Sequence, residues 1–127
     1  MRTRSTLLIV PALLALAACD EGGTGVTAGG EYRAVLQSPN GAEGAAAFEL
    51  EGSGVQSVAG GEDTRVFMQP AAGGTRVVVV REPAGPIEFT LTLAPGSRMP
   101  RARVVEVADG QDQPRASLAG YRVALER

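Results

Sequence analysis

Residues 86–94 read PIEFTLTLA, and the apolar side chains Ile87, Phe89, Leu91 and Leu93 fall at every second position, with Glu88, Thr90 and Thr92 between them. Successive side chains of an extended strand point to opposite faces, so this segment has one apolar and one polar face, as a strand half buried in an antiparallel sheet requires. The same period recurs in EYRAVLQS, where Tyr32, Ala34 and Leu36 form the apolar set, and in AAAFELEG, where Ala46, Phe48 and Leu50 do. It recurs again in GYRVALER, with Tyr121, Val123 and Leu125. A chain patterned this way has to build sheets, and nothing in it carries the three-to-four-residue spacing of an amphipathic helix.

The run TRVVVVR does not alternate, and its four consecutive valines predict a central strand covered on both faces or paired across a tight sheet. TRVFMQ and RVVEVA add two β-rich runs and GVQSVA a weaker one. Turn formers separate them: Ser38-Pro39-Asn40-Gly41, Gly60-Gly61, Ala71-Ala72-Gly73-Gly74, Pro83-Ala84-Gly85-Pro86, Pro95-Gly96 and Asp109-Gly110. Seven or eight strands at spacings near ten residues predict an all-β domain over residues 31–127, a single antiparallel β-sandwich.

Ahead of this domain, Arg2 and Arg4 precede an uncharged segment from Leu7 to Ala18. It is too short for the roughly 20 apolar residues of a membrane-crossing helix and ends in small residues, so residues 1–18 read as an export signal. Leu16, Ala17, Ala18 and Cys19 resemble the lipobox of bacterial lipoproteins, an aliphatic residue and two small ones before an acceptor cysteine. The resemblance implies cleavage before Cys19 and a diacylglycerol on its thiol, hence a protein held at a membrane of the bacterial cell envelope by its lipid anchor. A plain secretory signal followed by a free cysteine is the alternative. An aspartate after the acceptor, here Asp20, resembles an inner-membrane retention signal in some envelopes; the choice of leaflet stays open. Cys19 is the chain's one cysteine, so no internal disulfide is possible.

Removing the signal leaves 10 arginines against 14 acidic residues and no lysine or histidine. That mild acidity, like export, excludes nucleic acid as a partner, because phosphates demand a basic face. Residues 19–30 hold the cysteine and the sequence DEGGTGVTAGG, too poor in apolar surface to fold alone. As a Gly-rich coil of eleven residues it sets the domain about 20 Å from the lipid.

The order AVLQSPNGAEGAAAFELEGSGVQSVAG, GGTRVVVVREPAGPIEFTLTLA and ARVVEVADGQD is similar to the cohesin-type branch of immunoglobulin-like sandwiches. In that branch an early strand ends in a turn, an aromatic and aliphatic strand follows with a short Gly-x-Val link, and a valine-rich strand leads into an I-x-F-x-L strand. The resemblance implies a cohesin-like module that meets another protein through a sheet face or edge. The Asp-Pro pair often found where this chain has Gly52-Ser53-Gly54 is missing, which speaks against dockerin recognition.

Without histidine or lysine, and with its thiol assigned to lipid, the chain has no Ser-His-Asp or Cys-His arrangement, no His-rich zinc site and no Schiff-base lysine. Carboxylate chemistry remains, but Glu49 and Glu51 on one strand face read as a solvated surface. Asp109 with Asp112, and Glu62 with Asp63, read as turns in preference to calcium loops. No catalytic residue, metal or cofactor is expected. The aromatics Tyr32, Phe48, Phe67, Phe89 and Tyr121 are all assigned to the core, with the direction of Phe67 undecided between Val66 and Met68. Arg98, Arg101 and Arg103 gather around Met99 and Pro100 and are the candidate partner-binding residues, since guanidinium forks suit a partner's carboxylates, acidic glycans or lipid headgroups, with a solvated loop as the alternative. The expected function is a lipid-anchored envelope protein whose sandwich is a non-catalytic protein-binding or structural module. The alternative is a carbohydrate-binding accessory module at the cell surface, acting on polysaccharide.

Overall fold

A computed structural model of the protein describes residues 29–127. Eight strands follow in order: β1 Gly30–Gln37, β2 Glu43–Glu51, β3 Val55–Ala59, β4 Thr64–Ala71, β5 Gly74–Gly85, β6 Glu88–Leu93, β7 Arg101–Ala108 and β8 Arg122–Glu126. They form two four-stranded sheets, ordered β3-β6-β1-β8 and β4-β5-β2-β7, with every strand pair antiparallel. The β-sandwich expected from the alternation is what the chain builds. β1 begins at Gly30, paired with Leu93, so the first strand takes in the last residue assigned to the tether.

The alternating residues do face inward. Tyr32 stands opposite Leu91 and Ala34 opposite Phe89 in one sheet; Phe48 stands opposite Val77 and Ala46 opposite Val79 in the other. All eight are buried. The sheets meet at Phe48 and Phe89, whose ring centroids lie 5.5 Å apart at a 45° tilt, within the range where aromatic pairs attract.

Only β4 and β5 are joined as a hairpin within one sheet; each other connection carries the chain across to the opposite sheet. The two ends of the sandwich are therefore built from crossing loops. One end holds residues 38–42, 60–63 and 109–121. The other holds residues 52–54 and 94–100, and there Gly29 lies so close to Pro95 that a Cβ would sit 2.8 Å from its Cα. Gly29 thus lies beside the loop that carries Arg98.

The valine run is central, as β5 pairs with both β4 and β2. Its outer half is not covered. Val77 and Val79 are buried, whereas Val78 and Val80 are half-buried on the outer face.

Candidate functional site

Pairing registers fix which side chains share the outer face of the β4-β5-β2-β7 sheet. One cross-strand row runs Phe67, Val78, Ala47, Glu106, and a second runs Arg65, Val80, Ala45, Ala108. Valine and alanine pave the middle of both rows, and the small alanines of β2 leave a shallow depression lined by Ala45, Ala47, Val78, Glu106 and Ala108. Phe67 borders it with 56% of its surface exposed. The expectation that all five aromatics are core fails here. Its neighbour Val66 points inward and packs on the core, so alternation turns Phe67 out.

The next row is charged: Gln69, Arg76, Glu49, Arg103, followed by Glu51 opposite Arg101. Glu49 is flanked by two arginines and is ion-paired with Arg103. The face is thus apolar toward one end and mixed in charge toward the other. Glu49 and Glu51 share this face, as the sequence predicts, but Glu49 is engaged with Arg103.

Of the three arginines singled out in the sequence, Arg101 and Arg103 sit two apart on β7 and share the outer face. Arg98 lies on the 94–100 loop, where it lines a groove at the end of the sandwich with Met99, Arg101 and Glu51. The structure therefore joins Arg98 to Arg101 and Arg101 to the sheet face, with Arg103 outside the groove. All three are exposed. Cys19 lies outside the described residues.

At the opposite end stands a feature that the sequence reading missed. Glu43, at the start of β2, is only 1% exposed. One carboxylate oxygen accepts Nε and Nη2 of Arg115 at 3.0 and 2.7 Å; the other accepts the Ser38 hydroxyl at 2.6 Å and the Tyr121 hydroxyl. Asn40 locks the two hydroxyls in turn, its backbone N–H donating to Ser38 Oγ at 3.0 Å and its Nδ2 to the Tyr121 oxygen at 2.7 Å. Burial pushes the Glu43 carboxyl up, but the hydrogen bonds from Ser38, Tyr121 and Arg115, with the Arg115 charge, outweigh it and hold the group below its ordinary value. A carboxylate with both oxygens saturated has no lone pair aimed at a substrate, so this network fastens the 38–42 loop to the 109–121 loop.

Asp109 plays the turn role read from Asp-Gly. Its Oδ1 accepts the backbone N–H groups of Gln113 and Gln111 at 3.0 and 2.8 Å, which lowers its carboxyl. Asp63 and Asp112 hold positive φ values of 59° and 62°, as turn residues do. Among the described residues no group of three or more His, Cys, Asp or Glu side chains is placed to hold a metal ion. No known family, curated protein or solved structure matches the chain.

Proposed function

We propose that the protein is a lipid-anchored component of the bacterial cell envelope whose β-sandwich is a non-catalytic module that captures a protein partner on the outer face of the β4-β5-β2-β7 sheet. The observation that carries this reading is Phe67, the one exposed aromatic among the described residues, set beside a floor of alanine and valine with charges at its border. An interface core has an aromatic anchor and a polar rim in this way. Arg101, Arg103 and Arg76 alternate with Glu49 and Glu51 along that rim and would select a partner whose own charges are of mixed sign. Arg98 extends the rim around the end of the sandwich.

The anchor rests on the lipobox-like residues 16–19. The cohesin-like resemblance is supported by the order of the elements: β1 closes in the 38–41 turn, Gly52-Ser53-Gly54-Val55 links β2 to β3, and valine-rich β5 leads through Pro86 into β6. Support for a protein over a polysaccharide comes from the shape of the face, which offers one phenylalanine where sugar platforms need flat, repeated aromatic surface.

The test is capture of envelope proteins from solubilised membranes by the full chain and by Val78→Glu, which places a charge in the apolar strip without touching the core. The expected result is a discrete protein whose capture falls at least tenfold in Val78→Glu and resists excess free polysaccharide. Capture untouched by the substitution would remove the face from the reading. Retarded migration in polysaccharide gels, lost in the same variant, would replace the protein partner with a glycan.

A further inference from the structure

We propose that the protein forms a symmetric homodimer by pairing the free edge of β4 with the same edge of a second copy, in a register centred on Phe67. This goes beyond the capture surface and does not require it.

Four strands border the two sheets, β3 and β8 in one, β4 and β7 in the other. Three are short or covered. β3 and β8 have five residues each, and β3 is broken by a register shift between Val55 and Ser57. β7 has its edge occupied near the end: the Arg115 N–H donates to the Val107 carbonyl at 2.7 Å, and Ala108 bridges to Pro114. β4 differs. It has eight residues, keeps an unbroken register with β5 from Thr64↔Arg81 to Ala71↔Gly74, and carries Phe67 and Met68 at 56% and 44% exposure. Arg65 and Pro70 blunt its two ends, but between them Val66, Phe67 and Met68 present a regular apolar edge of the kind that folded proteins otherwise cover, bend or charge.

The backbone specifies what fits there. Ala71 and Gly74 close a two-residue hairpin over Ala72 and Gly73, with Gly73 at φ 75°, and the closing pair of such a hairpin is hydrogen-bonded. Counting back by alternation, Phe67 and Gln69 direct their backbone groups to β5, while Val66 and Met68 direct theirs to the free edge. Pro70 falls on the free side by the same count, where a missing N–H is tolerated. The Thr64 N–H already donates to the Gly61 carbonyl at 3.2 Å. Between Thr64 and Pro70 the open N–H groups are those of Val66 and Met68.

A second β4, run antiparallel with Phe67 on the two-fold axis, sets Val66 opposite Met68 and Met68 opposite Val66. Every open N–H and C=O of Val66 and Met68 then finds a partner, with Thr64 and Pro70 facing each other at the two ends. Centring on Val66 or Met68 instead brings Thr64 or Pro70, whose N–H groups are spent or missing, opposite an open carbonyl. On the outer face the same register brings the two Phe67 rings together and sets each Arg65 opposite a Gln69, with no like charges in contact.

The axis runs along the sheet normal, so the two outer faces join into one eight-stranded surface. The contact closes at two copies and leaves no free β4 edge. It is small, which sets the dimer in the weak class, and anchorage of both copies in one membrane would raise their local concentration.

The test is sedimentation equilibrium of the full chain in density-matched detergent, from micromolar to millimolar protein, with Gln69→Arg and Gln69→Glu. The register predicts opposite effects. Gln69→Arg faces Arg65 with a like charge twice per dimer and weakens association about tenfold, whereas Gln69→Glu forms two cross-strand ion pairs and strengthens it about as much. Both positions are exposed, so melting temperatures stay close to that of the parent. A chain that remains monomeric throughout, forms open-ended aggregates, or responds in the same direction to both substitutions overturns the proposal. Val78→Glu lies off the edge, so loss of capture there with dimerisation intact, or the reverse, separates this inference from the capture surface.

Discussion

Replacing Glu43 by glutamine tests whether the buried carboxylate fastens the end of the sandwich, and its effect can be worked out from the hydrogen bonds. The amide oxygen can keep Arg115, but the amide nitrogen then faces the Ser38 and Tyr121 hydroxyls, which now donate to Glu43. Both hydroxyl oxygens already accept from Asn40, and once the carboxylate is gone their protons lose their acceptor. Removing one member of a buried ion pair costs about 3–5 kcal/mol, and hydrogen bonds to a charged group are worth about 1.5–3 kcal/mol each. The Arg115 side chain is 27% exposed, and the solvent that reaches it brings the expected loss for Glu43→Gln to the lower end, about 2–3 kcal/mol. In a domain of this size that lowers the melting temperature by roughly 10–20 °C.

The pH dependence gives the decisive measurement. The Glu43 carboxyl is held below its ordinary value in the folded state, so its contribution is fully present above the unfolded-state pKa and is lost as pH falls through the folded-state pKa. Urea denaturation of parent and variant from about pH 7 to about pH 3 should show a gap that is widest near neutrality and closes in acid, because other carboxylates contribute equally to both proteins. A gap below about 0.5 kcal/mol at pH 7, the usual surface value, would refute the reasoning. So would a gap that stays constant through the acid range.

Cys19→Ala should abolish metabolic labelling by fatty-acid analogues and release the protein from membranes; labelling that persists in the variant would refute the assignment of the acceptor. Phe89→Ala should cost about 3–5 kcal/mol by denaturation, since Phe89 is 3% exposed and packs on Phe48 from the opposite sheet, and the double variant with Phe48→Ala should reveal a coupling of about 0.5–1.5 kcal/mol. Independent, additive losses would mean that the two rings do not meet.

The half of the fold that rests on alternation was legible before any coordinates. Just before and along β6 the pattern of Ile87, Phe89, Leu91 and Leu93 is strict, and all four are buried. Sheet membership was not legible, because nearly every connection crosses the sandwich and a turn sequence does not say whether the chain returns to the same sheet. Glu43 was invisible for a related reason: its partners Ser38, Arg115 and Tyr121 lie 5, 72 and 78 residues away, and a lone glutamate between Ala42 and Gly44 looks like any solvated turn residue. The arginine cluster was half legible. The spacing of Arg101 and Arg103 gives them one strand face, but only the register reveals that Glu49 takes up Arg103.

Phe67 and Glu43 break the same rule in opposite directions, a ring in water and a charge in the interior, and together they separate what holds the domain from what it offers. Glu43 is tolerated inside because four donors meet it, and it fastens the loops at the end of the sandwich opposite Gly29. Phe67 gains less from folding than the core aromatics do, since it keeps 56% of its surface exposed. The valines beside it at positions 78 and 80 are likewise left half-covered by alanines too small to shield them. The face therefore leaves apolar surface uncovered, and the neighbouring β4 edge, with the N–H groups of Val66 and Met68 directed away from β5, lies on the same side of the protein.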